Sequence, residues 1–141
     1  MKALYVTDRA AIGDDRFLAL LAALSGASGL AVELREKETA DRTCLSWARR
    51  ARELLGSEVP LWVNRRFDTA LAVGADGVHL PADGLPLRQV RTATPRGFRI
   101  GVSTHSVREA EQAIGAGADQ VLIGPIFSTP SKRRFGGSLG P

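Results

Sequence analysis

Residues Ala72-Val-Gly-Ala-Asp-Gly-Val-His-Leu80 recur in altered form as Gly115-Ala-Gly-Ala-Asp-Gln-Val-Leu-Ile123, with the matching glycines 43 residues apart. Each copy has the pattern of a helix end, a glycine turn and a short buried strand. Two predicted helices and one predicted strand lie between the copies, and strands that alternate with helices in this way run parallel. The repeat therefore predicts an α/β fold with a parallel sheet and helices outside it.

The same alternation extends over most of the chain. Apolar segments without strict polar alternation are typical of strands covered on both faces. We predict strands at Ala3–Thr7, Leu30–Arg35, Pro60–Asn64, Gly77–Leu80, Phe98–Ser103 and Gln120–Gly124, and helices at Asp14–Leu24, Ala40–Leu55, Leu87–Ala93 and Ser106–Ala116. No G-x-G-x-x-G motif follows the first strand, which weakens a dinucleotide-binding sheet and favours a barrel.

Length and composition restrict the class of protein. One domain is expected from 141 residues, and no apolar run reaches the roughly 20 residues of a membrane span. A single cysteine, Cys44, excludes an internal disulfide and fits a reducing cytoplasm; its helical pattern favours packing over catalysis. The net charge of +4 comes from scattered arginines, without a nucleic-acid motif. We expect small phosphorylated ligands, and neither nucleic acid nor membrane, as partners.

Polar side chains follow several predicted strands, and in a barrel those strand ends meet at one mouth. These side chains are Asp8, Arg35, Asn64, His79, Ser103 and Thr129. The loop Gly124-Pro-Ile-Phe-Ser-Thr-Pro-Ser-Lys132 combines hydroxyl groups, backbone amides and a lysine after a strand. Such a loop suits a phosphate or pyrophosphate group.

Several segments together resemble the family of thiamine phosphate synthases and TenI-like thiazole tautomerases. They are Leu4-Tyr-Val-Thr-Asp8, Val32-Glu-Leu-Arg-Glu-Lys37, Gly74-Ala-Asp-Gly-Val-His-Leu80, Gly101-Val-Ser-Thr-His105 and the Gly124–Lys132 loop. The resemblance implies a TIM (β/α)₈-type barrel, with about six βα units in this chain. Residues 1–141 would then form a single, incomplete barrel domain. We expect a fragment, a truncated product or a subunit completed by a partner; a homo-oligomer is also open.

In this family the synthases join a pyrimidine diphosphate to a thiazole phosphate and use Mg²⁺. The positions that match substrate- or phosphate-binding residues are Arg35, Lys37, Asn64, Ser103, Thr129, Ser131 and Lys132. The family's metal aspartates do not match, because Arg65 and Gly84 stand at their positions. Asp83, one residue away, is a weak candidate for a metal ligand. Glu33 replaces a family glutamine.

The tautomerase branch moves a proton on a thiazole carboxylate phosphate and needs no metal pair. The resemblance places its acid/base histidine at His105, and a pKa near 6.5 suits that task. We therefore expect tautomerase-like proton transfer without a cofactor, with Mg²⁺-dependent thiamine phosphate synthesis as the alternative. A non-catalytic protein that binds phosphate ligands is a third hypothesis. A structural role is expected for His79, and an exposed position at a helix start is the other interpretation of His105.

Overall fold

The computed structural model describes residues 1–36, 39–127 and 140. In this part of the chain, strands and helices alternate. The strands are β1 (Ala3–Val6), β2 (Leu30–Leu34), β3 (Leu61–Asn64), β4 (Gly77–Leu80), β5 (Arg99–Thr104) and β6 (Gln120–Ile123). The helices are α1 (Arg9–Ile12), α2 (Asp14–Ala23), α3 (Asp41–Leu55), α4 (Phe67–Ala72), α5 (Leu87–Ala93) and α6 (Val107–Gly115). This order confirms the α/β alternation expected from the repeat.

The chain divides into two compact units, residues 1–78 and 79–141. In the first unit β2 pairs in parallel with both β1 and β3, so that Val32 lies in register with Tyr5 and Leu61. Four consecutive residues of β2, from Ala31 to Leu34, are buried. Both faces of β2 are therefore covered, as its lack of strict polar alternation predicted.

Helices α2 and α3 contribute to the core of the first unit. Their buried residues are Phe17, Leu21, Cys44, Ala48, Ala51 and Leu55. Burial of Cys44 confirms that it packs in the core, and burial raises the pKa of its thiol, with Glu36 and Asp68 adding to the shift. Most predicted element ends lie within one residue of the observed ones, but α1 and α4 were not predicted. They span 4 and 6 residues, which is too short to show a helical period.

In the second unit β5 and β6 pair in parallel, with Ser103 in register with Leu122. Helix α6 begins after Ser106, whose hydroxyl accepts a hydrogen bond from the Glu109 amide at 3.2 Å. The Glu109 carboxylate in turn accepts from the His105 amide at 2.7 Å. These two contacts form a capping box, with its return bond made one residue before the cap. No helix in the described ranges is both long and apolar enough to cross a membrane.

The repeated glycine turns carry an aspartate that binds the start of an earlier strand. Asp76 accepts a hydrogen bond from the Leu61 amide at 2.8 Å, and its own amide donates to the Leu61 carbonyl at 2.8 Å. Asp119 makes the same pair of bonds to Ile100, at 2.7 and 2.8 Å. The sequence repeat is therefore a repeated connection between a turn and the neighbouring parallel strand.

An arginine from the helix before that strand completes each connection. Arg52 of α3 donates to the Asp76 carboxylate at 2.9 Å, to the Val59 carbonyl at 2.7 Å and to the Gly56 carbonyl. These carbonyls lie between the end of α3 and the start of β3. The guanidinium therefore satisfies acceptors at a helix end that has no intrahelical donors for them.

The second unit repeats the arrangement. Arg91 of α5 donates to the Asp119 carboxylate at 2.5 Å, to the Gly117 carbonyl at 3.1 Å and to the Phe98 carbonyl. The Arg52–Asp76 pair thus links the end of α3, the start of β3 and the turn before β4. The Arg91–Asp119 pair links α5, the start of β5 and the turn before β6 in the same way.

We expect Asp76→Ala to lower the free energy of unfolding by about 2 kcal/mol, because it removes the acceptor of the Leu61 amide and of Arg52. Urea denaturation measures the change. The control is Glu53→Ala, since Arg50 and Glu53 form an ion pair with side chains 53% and 63% exposed. Exposed pairs of this kind contribute about 0–1 kcal/mol. Equal losses in the two variants would contradict the role assigned to Asp76.

Candidate functional site

A buried carboxyl group and an amide side chain meet near the carboxyl ends of β2 and β3. Glu33 is 2% exposed. The Asn64 Nδ2 atom donates to Glu33 Oε1 at 2.9 Å. The two strands are neighbours in register, which brings residues 31 positions apart in sequence into contact. The pair presents hydrogen-bonding groups at the strand ends, where parallel α/β folds bind ligands.

Burial raises the pKa of the Glu33 carboxyl, and this is the largest effect on it. The hydrogen bond from Asn64 and the charge of the Arg35 guanidinium act in the opposite direction. The carboxyl group therefore keeps its proton to a higher pH than an exposed glutamate. In that form it donates a hydrogen bond as well as accepting one.

Arg35 follows β2 directly, and its backbone is fixed by the end of the first strand. The Arg35 amide donates to Thr7 Oγ1 at 3.0 Å, and Thr7 is 1% exposed. Because the Arg35 charge lowers the pKa of Glu33, the guanidinium is electrostatically coupled to that carboxyl. The structure thus brings together Glu33, Arg35 and Asn64. Lys37, predicted to act with Arg35, lies outside the described residues.

The expected positions of the metal ligands do not fit Mg²⁺. Arg65 occupies the first of them and has a φ of 67°, a left-handed conformation that is uncommon outside glycine. A fixed positive charge at this position repels a cation. Magnesium is bound through carboxylate oxygens in octahedral geometry. In the described part of the chain, no three His, Cys, Asp or Glu side chains lie together as a metal site.

The second position, at Gly84, lies in a tight turn in the other unit. The Gly84 amide donates to the Pro81 carbonyl at 2.8 Å. A Cβ atom at Gly84 would lie 2.9 Å from Pro81 Cδ and from the Pro81 carbonyl oxygen. A carboxylate side chain therefore has no room at this residue unless the turn shifts. Asp83, the weak candidate, is exposed.

Two other predicted residues meet in the second unit. His79 of β4 is 2% exposed, and its Nε2 lies 2.8 Å from Ser103 Oγ of β5. A buried imidazole with a hydrogen-bond partner is the environment expected of a structural histidine. The contact also fixes the hydroxyl of Ser103, which the family resemblance assigns to substrate binding. The sequence indicated each residue separately but did not predict their contact.

His105 lies just after β5 and is half-buried. Its Nδ1 atom is 2.6 Å from the Gly124 carbonyl oxygen, which requires the proton of a neutral ring to be on Nδ1. The Nε2 atom of that tautomer carries a lone pair and is the basic nitrogen. The imidazole is therefore oriented by the chain at the end of β6. The remaining predicted residues of this loop, Thr129, Ser131 and Lys132, lie outside the described residues.

The contribution of Glu33 was not foreseen from the sequence, where it stood out only as a substitution for glutamine. Its position within the apolar run Ala31-Val-Glu-Leu34 was the available signal, because a charged residue in a buried strand requires a partner. Thr7 was also missed as a contact of Arg35. A threonine hydroxyl has no sequence pattern that identifies a partner 28 residues away.

We expect Glu33→Gln to stabilise the protein increasingly as pH rises. A carboxyl whose pKa is raised by folding binds more protons in the folded chain, so stability falls from its ordinary pKa up through the raised value. Glutamine does not titrate and keeps an acceptor for Asn64. Thermal unfolding between about pH 4 and 8 measures the difference in stability between this variant and the unmodified chain. The control is Glu58→Gln at an exposed site. A stability difference that does not change with pH would contradict the raised pKa of Glu33.

Comparison with known proteins identifies the family. A model of the family described as thiamine monophosphate synthase matches residues 3–140. The chain is 40% identical over 136 residues to a putative thiamine-phosphate synthase of Geobacter sulfurreducens, covering 96% of this chain and 64% of that protein. It is 42% identical over 139 residues to a thiamine-phosphate synthase of Methanoculleus marisnigri, covering 97% and 66%.

A solved structure gives the same result. The thiamine phosphate pyrophosphorylase of Pyrococcus furiosus matches with a TM-score of 0.75 and 29% sequence identity, covering 91% of this chain and 62% of that one. The chain thus spans about two thirds of the length of these proteins, at 62% to 66%. The α/β fold is of the TIM-barrel type, as expected, and the chain belongs to the thiamine monophosphate synthase family.

Proposed function

We propose that this protein takes part in thiamine phosphate synthesis, in which a pyrimidine diphosphate is joined to a thiazole phosphate and pyrophosphate is released. The observation that carries the proposal is the buried Glu33–Asn64 pair beside Arg35 at the strand ends. The names of the relatives favour this reaction over the tautomerase expected from the sequence. Because the chain spans about two thirds of those relatives, the complete activity is part of the proposal.

The residues of the first unit suit the two chemical parts of such a substrate. Asn64 and Glu33 offer donors and acceptors to the polar edge of a heterocycle, and the raised pKa of Glu33 extends the pH range in which it donates. The Arg35 guanidinium suits a phosphate or diphosphate group, to which arginine donates two parallel hydrogen bonds. The sequence adds Lys37 and Lys132 as further cations for the leaving pyrophosphate.

Mg²⁺, when bound, neutralises the negative charge that develops on pyrophosphate. The described residues do not fit such a site, because of Arg65 and the tight turn at Gly84. In this proposal the stabilisation of the leaving group is assigned to the cationic side chains. Ser103, held by His79, is assigned to substrate binding.

A paired turnover assay on the 141-residue chain tests the proposal. One arm contains pyrimidine diphosphate, thiazole phosphate and Mg²⁺; the other contains the tautomer of thiazole carboxylate phosphate. We expect thiamine phosphate and pyrophosphate in the first arm. The loss on omitting Mg²⁺ is expected to be small, because the described residues do not form a metal site. A folded chain that forms no thiamine phosphate would overturn the proposal, and turnover in the second arm alone would establish the tautomerase.

The second candidate is tautomerase-like proton transfer, which is favoured by the geometry of His105. The contact between its Nδ1 and the Gly124 carbonyl fixes the neutral tautomer with a basic Nε2. An imidazole in this tautomer accepts a proton at Nε2 and can return it to the substrate. A proton shift within one substrate requires no leaving group and no metal.

If this second candidate is correct, His105→Ala is expected to lower tautomerase turnover by about 10²- to 10⁴-fold, the usual contribution of a general acid or base. Steady-state kinetics in the second arm of the assay measures the change. The control is Glu109→Ala, which removes the contact to the His105 amide and keeps the imidazole. A loss smaller than about tenfold for His105→Ala would remove His105 from the catalytic role.

A further inference from the structure

The end of β2 and the segment that follows it are tied to the segment after β1 by three successive contacts. The Thr7 amide donates to the Glu33 carbonyl at 2.9 Å, and the Arg35 amide donates to Thr7 Oγ1 at 3.0 Å. The third contact is an ion pair, in which Arg9 Nε donates to Glu36 Oε2 at 2.9 Å. The backbone of Arg35 is thus bracketed by bonds on both sides.

Arg9 is itself held in place from other directions. Its guanidinium carbon lies 4.7 Å from the centroid of the Trp47 ring, a cation–π contact. A second guanidinium nitrogen donates to Asp14 at 2.6 Å. Trp47 in turn meets Phe17 edge-on, with ring centroids 5.5 Å apart. Arg9 therefore connects the segment after β2 to the packed face of α2 and α3.

The Arg9–Glu36 pair contributes little to stability by its own energetics. The Glu36 side chain is 3% exposed, and its Oε1 atom has no hydrogen-bond partner within the described part of the chain. A buried carboxylate with one satisfied oxygen recovers only part of its desolvation cost. A hydrophobic pair would fill this space at lower cost. What the ion pair adds is a fixed direction for the segment that carries Arg35.

We propose that Arg9 is a positioning residue for phosphate binding. Its ion pair with Glu36 holds the segment after β2 so that the Arg35 guanidinium stays beside Glu33 and in reach of the phosphate. Arg9 touches no substrate in this scheme and acts through Glu36 and the backbone. The inference rests on the proposed function for the chemical identity of the ligand.

The test compares the binding of inorganic pyrophosphate to three variants by titration calorimetry. We expect Arg9→Gln and Glu36→Gln each to weaken binding by about tenfold, which corresponds to a typical coupling between contacting residues. Asp14→Asn removes the charge from the exposed ion pair of the same arginine and keeps an oxygen acceptor. It is expected to stay within about twofold of the unmodified chain.

Glu36→Gln decides between positioning and simple charge. Removal of a negative charge strengthens anion binding if the charges act only through space. Positioning requires the opposite sign, because the ion pair is lost. Tighter pyrophosphate binding by Glu36→Gln would therefore overturn the inference. This variant is nearly isosteric and removes a buried charge, so it is expected to fold even if Arg9→Gln does not.

A second measurement is independent of the ligand. NMR-detected hydrogen exchange of the Arg35 amide is expected to be about tenfold faster in Arg9→Gln and Glu36→Gln than in Asp14→Asn. Unchanged exchange would overturn the inference, even if the unmodified chain failed to bind pyrophosphate. Arg35→Ala tests the proposed function separately. Unchanged pyrophosphate binding in that variant would contradict the phosphate site proposed at Arg35. The result of the exchange experiment would not be affected.

Discussion

Parallel strands must begin inside the protein with their first backbone groups satisfied, and in this chain an arginine–aspartate pair meets that requirement. Asp76 binds both backbone polar groups of Leu61, and Arg52 binds Asp76 together with carbonyls at the end of α3. An unsatisfied buried amide costs about 1–3 kcal/mol, so each pair removes a substantial penalty at a strand start. This anchoring fixes the starts of β3 and β5, at the ends opposite those proposed to bind ligand.

The polar groups at the carboxyl ends of β2 and β3 include one whose burial costs free energy. Glu33 is a carboxyl group placed in a buried strand, and burial raises its pKa. A glutamine would keep the hydrogen bond to Asn64 without the cost of burying a charge. Natural proteins retain such costs mainly at functional sites, where a shifted pKa serves binding or catalysis. The Glu36 carboxylate is likewise nearly inaccessible to solvent.

The names of the relatives and the residues of this chain point to different requirements for metal. The relatives are called thiamine-phosphate synthases, and the family resemblance implies Mg²⁺ for such enzymes. Arg65 and Gly84 stand at the expected positions of the ligands, one a fixed cation and the other a residue with no space for a side chain. In the proposed reaction, cationic side chains would neutralise the leaving group and supply the charge that Mg²⁺ would otherwise provide.

The sequence by itself determined the order and type of the longer elements. The buried strands were recognisable because they are rich in apolar residues without strict polar alternation. Helix α3 was recognisable from its period and α6 from the Ser106 and Glu109 of its capping box. The repeat that contains Asp76 and Asp119 predicted the βα units but not the bonds that these residues make. Helices α1 and α4 were missed because they are shorter than two full turns.

Only the tertiary structure decided which polar side chains meet. Asn64 and His79 were indicated by their places at or near strand ends, but their partners Glu33 and Ser103 lie 31 and 24 residues away. The same holds for Arg9 and Glu36, which are 27 residues apart. These contacts are set by the register between parallel strands and by which loops lie next to each other. Neither property is encoded in a local sequence pattern. Local periodicity reports burial along one element, whereas a site is formed by distances between elements.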